Sequence, residues 1–391
     1  MTARSERIDS LRGIAVFGIL LVNMYAFAFG NEMRYGVLDP GSGAIEQFVV
    51  FFAAAFAEQK FYPIFAFLFG AGFAFQTGAA QEPGLRLRQV RRIYQRRALW
   101  LLGCGIAHGV LIFYGDILTL YAITAFWLAT LTGARLRVVR ASLRRLIAIN
   151  IALMALNAWG YQLVPATSAF DVGISIADAA HAHQIYTQGG WVDIASLRIR
   201  DYFYNTAGGV LFLPSLALLY LLGLLSVRLG YLTRPERHRR FWFRVLLPGL
   251  CIGLPLNLWW GYVALCAASA PLSPPPLAGL ATYLIDTSGP LLAAAYVALV
   301  MLARGAALNT LLWLAPVGRM ALTNYLTQSI VCVLLFQGIG LGLGAHLARS
   351  SLLGICLLMM LAQLVFSHWW MARNAQGPVE ALWRRSYQPA S

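Results

Sequence analysis

Charge is scarce in this chain of 391 residues, and acid is scarcer than base. Asp and Glu number 15 against 30 for Lys and Arg, and charged residues make up 12% of the whole. A soluble domain carries about 25% charged residues, so a water-facing surface around one core is excluded. Lysine is nearly missing: Lys60 is the one example. Cysteine is limited to Cys104, Cys251, Cys266, Cys332 and Cys356, all inside apolar runs and none in CxxC spacing. That excludes a disulfide framework or a cysteine metal site and leaves small buried hydrophobes. No GxSxG, Walker loop, HExxH or Rossmann fingerprint stands in a suitable context, and FGAGFAF around Gly70 and Gly72 reads as a small-residue helix contact.

What is present is hydrocarbon. Hydrophobic residues make up 59% of the chain, and the mean hydropathy is +0.66. The net charge of +15 would suit nucleic acid, but the basic residues cluster between apolar runs, as topology signals do. No nucleic-acid partner is expected; the bilayer is. A span needs about 20 residues, and ten candidates follow: 10–30, 61–79, 98–114, 117–131, 146–165, 208–227, 245–267, 279–303, 320–340 and 350–372. The fourth is short. Residues 44–57 (AIEQFVVFFAAAFA) are also apolar and read as an interfacial or half-inserted helix beside the second span.

Ten spans with the N-terminus inside put 25 of the 30 basic residues on the inner side and five outside: Arg34, Lys60, Arg198, Arg200 and Arg349. The fold class expected is therefore all-α, a polytopic transmembrane bundle with both termini cytoplasmic. The expected place is a bacterial inner membrane. The N-terminal run reads as a signal anchor rather than a cleaved signal peptide. The chain divides into a membrane half (1–165), an extracytoplasmic cap (166–207), and a second membrane half with an interfacial tail (208–391). A homodimer is an open option. In the cap, His181 and His183 invite a metal, but two positions apart they do not share a helix face; no metal is expected.

Ionisable groups at membrane depth mark cavities or reaction sites. His108 lies in the third span and can serve as a general base near neutral pH. Asp116 stands eight residues on and cannot touch it along a straight helix, but the turn Tyr114-Gly115-Asp116 can fold it back. The competing reading for both is a satisfied helix–helix hydrogen bond. Asp286, in YLIDTSGP, either orients an acceptor or pairs with another span. Two groups stand at the inner face: Asp9, Ser10 and Arg12 before the first span, and Arg319 with Asn324 and Gln328 at the ninth. A helix N-terminus with arginines favours a phosphate-like anion, and polar side chains four apart share a face.

RIDSLRGIAVFGILLVNMYAF, FYPIFAFLFGAGFAFQ, HGVLIFYGDILTLYA, GRMALTNYLTQSI and GPVEALWRRSY together resemble the YeiB-like membrane proteins, a family of unknown function. That family is distantly similar to transmembrane acyltransferases, the acyltransferase-three O-acylases and heparan glucosaminide N-acetyltransferase among them, through Asp9, Arg12 and Gly13. The O-acylases carry a histidine where this chain has Asn23, so His108 would have to supply the base. The resemblance implies transfer from an acyl-CoA-like donor, held by Asp9, Arg12, Arg319, Asn324 and Gln328, to a small-molecule, sugar or lipid-linked acceptor. Asn23 and Asp286 would lie beside that acceptor. The alternatives are a transporter using intramembrane His and Asp, and a structural protein whose polar groups only bind helices together.

Overall fold

The computed structural model describes residues 3–30, 38, 41–79, 87–163, 176–269, 275 and 277–387. Arg34, Arg86, Asp171 and most of the 271–276 turn lie outside the described residues. Among those described, every regular element is a helix. Six stretches have the length and apolarity to cross a membrane: Glu6–Phe29, Ala44–Thr77, Trp191–Arg228, Pro235–Ser269, Ala278–Leu302 and Arg349–Met371. Large apolar side chains such as Leu357, Leu358, Leu361 and Val365 are exposed along one of them. A continuous apolar face of this kind suits lipid, not water.

Charged contacts sort the helix ends into two groups. Helix α1 (Ala3–Phe29) begins at an arginine-rich end, where the Arg7 guanidinium donates to the Met301 carbonyl at 2.8 Å and pairs with Glu236 at 3.1 Å. At about 1.5 Å per residue its 27 residues run some 40 Å. They end at a capped face, where the segment Ile176–Gln188 packs.

The next crossing is broken. Helix α2 (Ala44–Phe52) continues through a π-helical turn (Ala53–Ala57), stops at Glu58–Lys60, and resumes as α3 (Phe61–Ala79). Gln59 at the break has φ 63°, a left-handed conformation that costs a residue with a side chain. The Tyr25 hydroxyl, near the capped end of α1, donates to Val49 O, and Gly72, near the far end of α3, lies beside Arg12. So α2, the turn and α3 together make one crossing. Residues 44–57, read from the sequence as an interfacial or half-inserted helix, pack against the helix Leu254–Ser269, with Val49 and Val50 buried and Ile45 and Phe48 exposed. Lys60, expected outside, is fully buried at the break, and its ammonium donates to Ala54 O at 2.8 Å. The reason is local: the unwound turn frees carbonyls, and a cation suits the C-terminal end of the half-helix above it.

Helices α4 (Leu87–Leu111) and α5 (Leu118–Ala129) form a hairpin whose turn lies toward the capped face. Helix α6 spans Leu136–Leu163, and α7 (Ile176–Gln188) and α8 (Trp191–Gly209) build the cap. Helix α9 (Leu213–Arg228) returns to the arginine-rich end, where Arg228 donates to Ala134 O. It packs on α3 through reciprocal glycines. A Cβ on Gly70 would stand 1.9 Å from Tyr220 O, and one on Gly223 would stand 1.8 Å from Phe67 O. Only hydrogen fits there.

The second half holds α10 (Arg239–Pro248), α11 (Leu254–Ser269), α12 (Ala278–Leu302), the short α13 (Gly305–Leu312) and α14 (Ala315–Arg319), then α15 (Ala321–Phe336), α16 (Arg349–Met371) and α17 (Pro378–Tyr387). Glutamates from elsewhere cap two of these N-termini. Glu46 accepts the Arg349 and Ser350 amides at 2.7 and 3.1 Å, and Glu380 accepts the Leu322 and Thr323 amides at 2.7 and 3.1 Å. Each satisfies orphan donors and the positive end of a helix.

Candidate functional site

Helix α1 measures the depth of the site. Arg12 lines one cavity, of about 250 Å³, that opens at the arginine-rich end. Asn23, Ala26 and Gly30 line a second, of about 260 Å³, toward the cap. Ile19 lines both, as do Ile117 and Tyr325. Eighteen residues separate Arg12 from Gly30, roughly 27 Å of helix. The two cavities therefore approach each other from opposite ends and share a wall of three side chains.

His108 and Asp116 stand behind that wall. Helix α4 ends three residues after His108, and the His108 carbonyl accepts the amides of both Ile112 and Phe113, which tightens the turn. Asp116 is thereby folded back, and its Oδ1 lies 2.9 Å from His108 Nδ1. Asp116 Oδ2 accepts the Thr119 amide and hydroxyl, both at 2.9 Å, at the start of α5. Thr119 Oγ1 in turn lies 3.0 Å from the Tyr202 hydroxyl of the cap. Gly105 permits the approach, since a Cβ there would meet Asp116 Oδ2 at 2.9 Å and Thr119 N at 2.6 Å. Both members of the pair are buried. With Nδ1 on a carboxylate, Nε2 is the lone-pair nitrogen, and among the described residues it has no hydrogen-bond partner. The ring lies 5.1 Å from that of Tyr325 and 6.2 Å from that of Phe113, centroid to centroid. His108 itself lines neither cavity; Tyr325 and Phe113 come between.

The remaining candidates divide. Arg12 and Arg319 line the arginine-end cavity together with Arg97, Gln76, Tyr94, Glu380 and Trp383. Asp9 holds Arg12 at 2.8 Å and lines neither cavity. Asn324 donates to Val317 O and Ser367 Oγ, each at 3.1 Å. Gln328 donates to Gln363 Oε1 at 2.7 Å, and Gln363 returns a bond to Asn324 O. These two amides join α15 to α16 and line neither of these two cavities. Asn23 lines the cap-end cavity, beside Glu58, Gln59 and Asn205. Asp286 is exposed on the flank of α12, accepts from Gln59 Nε2 at 3.2 Å, and lines neither cavity.

The sequence placed Tyr325 in the polar group around Arg319, with Thr323, Asn324, Gln328 and Ser329, but did not single out Tyr94, Glu58, Glu380 or Trp383 as site residues. Tyr325 and Glu380 do fall inside the quoted segments GRMALTNYLTQSI and GPVEALWRRSY, and that was the signal available. The tail reads as more than an interfacial anchor: the Arg97 guanidinium stacks 4.7 Å from the Trp383 ring, and Trp383 donates to Arg97 O. In the cap, His181 is exposed, while the His183 ring lies 5.9 Å from Phe29 and burial holds its pKa below the ordinary 6.5. Among the described residues no three His, Cys, Asp or Glu side chains converge to hold a metal.

Residues 226–388 match a family described as "Protein of unknown function (DUF418)". The chain is 32% identical to the uncharacterized protein YxaH of Bacillus subtilis, over 99% of this chain and 97% of that one. It is 29% identical to the uncharacterized protein YeiB of Escherichia coli, over 98% and 96%. It is 27% identical to an uncharacterized 39.9 kDa protein from the amylase 3' region of Bacillus acidopullulyticus, over 98% and 94%. No solved structure matches. The resemblance to YeiB-like proteins thus extends along the whole chain.

Proposed function

Because the chain belongs to the DUF418, YeiB-like family, whose function is unknown, we propose its activity from the geometry of its own residues: acyl transfer across a membrane. The observation that supports this reading is the shared wall of Ile19, Ile117 and Tyr325, where cavities from opposite ends meet, with a carboxylate-paired histidine just behind it. Following the positive-inside rule, the arginine-rich end faces the cytoplasm and both termini lie there. An acyl-CoA-like donor enters that end, its phosphates met by Arg12 and Arg319. An acceptor hydroxyl or amine enters the cap-end cavity beside Asn23.

In the proposed reaction Tyr325 turns aside and His108 Nε2 takes the acceptor proton. The acceptor oxygen or nitrogen attacks the acyl carbonyl, the carbon–sulfur bond breaks, and the leaving thiolate takes the proton from the imidazolium. Asp116 holds the tautomer and stabilises that imidazolium. A general base contributes about 10²–10⁴-fold, and fixing two substrates in contact supplies more. The test is transfer of radiolabelled acetyl from acetyl-CoA in membranes overexpressing the protein. We expect an activity above vector controls that falls at least about 100-fold in His108→Ala. An activity unchanged in that variant overturns the role of His108.

The broken crossing at Glu58–Lys60 favours a second reading, transport, since discontinuous helices with buried charge recur at transporter sites. Proteoliposome uptake driven by a pH gradient, without acyl transfer, would select it.

A further inference from the structure

We propose that the arginine-end cavity is a site for a phosphate-headed chain molecule that is read at both ends by tyrosine hydroxyls, Tyr94 near the mouth and Tyr325 at the inner wall. This deepens the donor half of the transfer reading and rests on it for the placement of the donor.

Three features point there independently. The first is a pair of buried hydroxyls short of partners. Tyr94 and Tyr325 are 4% and 6% exposed and both line this cavity; among the described residues the Tyr94 hydroxyl makes no hydrogen bond, and the Tyr325 hydroxyl has only a loose approach to the Ile117 backbone. A buried hydroxyl without a partner carries a desolvation penalty, which a ligand acceptor in the cavity removes. The second is an internal anion. The Glu380 carboxylate lies in the lining of this cavity, on the Leu322 and Thr323 amides and, at 2.6 Å, on the Thr323 hydroxyl. The same lining holds Arg12 and Arg319. Glu380 takes up the helix donors, but the lining holds three guanidinium groups, Arg12, Arg97 and Arg319, against this one carboxylate, so the mouth still favours an anion. The third is polarity along the cavity. Charged groups gather at the mouth, whereas Phe65, Leu68, Phe69 and Leu118 line the rest. Head and chain are thereby distinguished. Arg12 and Ile19 are seven residues apart on α1, so the apolar part is about 10 Å deep.

The shared chemistry, phosphate plus chain, comes in a soluble form and a lipid form. We would measure binding of coenzyme A and of lysophosphatidic acid to the purified full chain, for wild type, Tyr94→Phe and Tyr325→Phe. Tyr94→Phe removes a hydroxyl without a hydrogen bond and leaves the unliganded melting temperature unchanged or raised; Tyr325→Phe gives up only the loose approach to Ile117 and lowers it little. We expect saturable binding of at least one probe, weakened about fivefold by each variant. Coenzyme A binding that both variants leave intact overturns this inference while the transfer reading stands. Binding of the lipid probe alone, weakened by the variants, keeps the inference and removes a coenzyme A donor. Binding of neither probe, binding of the lipid alone that the variants leave intact, or a fall in unliganded stability in both variants overturns the inference.

Discussion

Asp116 serves the structure and the chemistry with different oxygens. Oδ1 orients His108, while Oδ2 satisfies the first turn of α5 through Thr119. Asp116→Asn replaces one acceptor with a donor: facing Thr119 it loses the bond from the Thr119 amide, and facing His108 it forces the tautomer that leaves Nε2 protonated in its partnerless, buried position. We expect a fall in stability of about 1–3 kcal/mol, read by thermal unfolding in detergent. His183 gives a pH dependence outside the membrane. Burial lowers its pKa in the folded chain, so the unfolded chain binds the proton more readily and protonation opposes folding. The stability it contributes is complete above about 6.5 and is lost as pH falls from there through the depressed folded value. Hydrogen exchange of the α7 segment should accelerate over that window in wild type and stay flat in His183→Gln. The fold-back of Asp116 onto His108 was legible, because Tyr-Gly-Asp between two apolar runs admits a reversal. The partition between His108 and both cavities was not: Tyr325 lies 217 positions away, and no local pattern announces that pairing.

Among elements, the crossing formed by α2 and α3 departs furthest from its sequence. Its apolar halves are separable by eye, but Glu58, Gln59 and Lys60 resemble a solvated turn. They are buried or half-buried because Trp260 donates to Glu58 at 2.9 Å, Gln59 reaches Asp286, and Lys60 caps the helix above. Those partners come from α11, from α12 and from the segment's own carbonyls, so tertiary contact overrides the local reading. The α3–α9 contact, by contrast, was foreshadowed by the small residue Gly70; Gly72, read with it as a helix contact, instead lines the arginine-end cavity beside Arg12. Gly223→Ala inserts a methyl against the Phe67 carbonyl and should destabilise by about 1–3 kcal/mol, seen as a lower detergent melting temperature. Gly208→Ala, whose Cβ meets nothing within 4 Å, is the control and should be neutral or mildly stabilising.

At the scale of the whole molecule, alternation of the basic clusters predicted that distant parts of the chain share one end. Arg7, Arg97, Arg228 and the tail, drawn from four distant parts of the chain, converge on one end through Met301, Trp383, Ala134 and Leu322. Charge placement reports topology because moving an arginine across lipid is costly. Cavities are different in kind: they arise where side chains fail to fill space, and no residue type encodes a gap. Sidedness is open to direct measurement. In a cysteine-free background, Gln184→Cys on the cap should react with an impermeant maleimide in intact cells. Ser386→Cys should react only after permeabilisation; the reverse pattern would invert the orientation proposed here.

The lone lysine at the break gives this molecule a built-in chemical clock. Amine-directed reagents find no other side-chain target in the sequence, and this one is sealed by its own half-helix. Acylation at position 60, followed by mass spectrometry on the native chain, would count how often the upper and lower halves of that crossing part company, without a mutation or a probe.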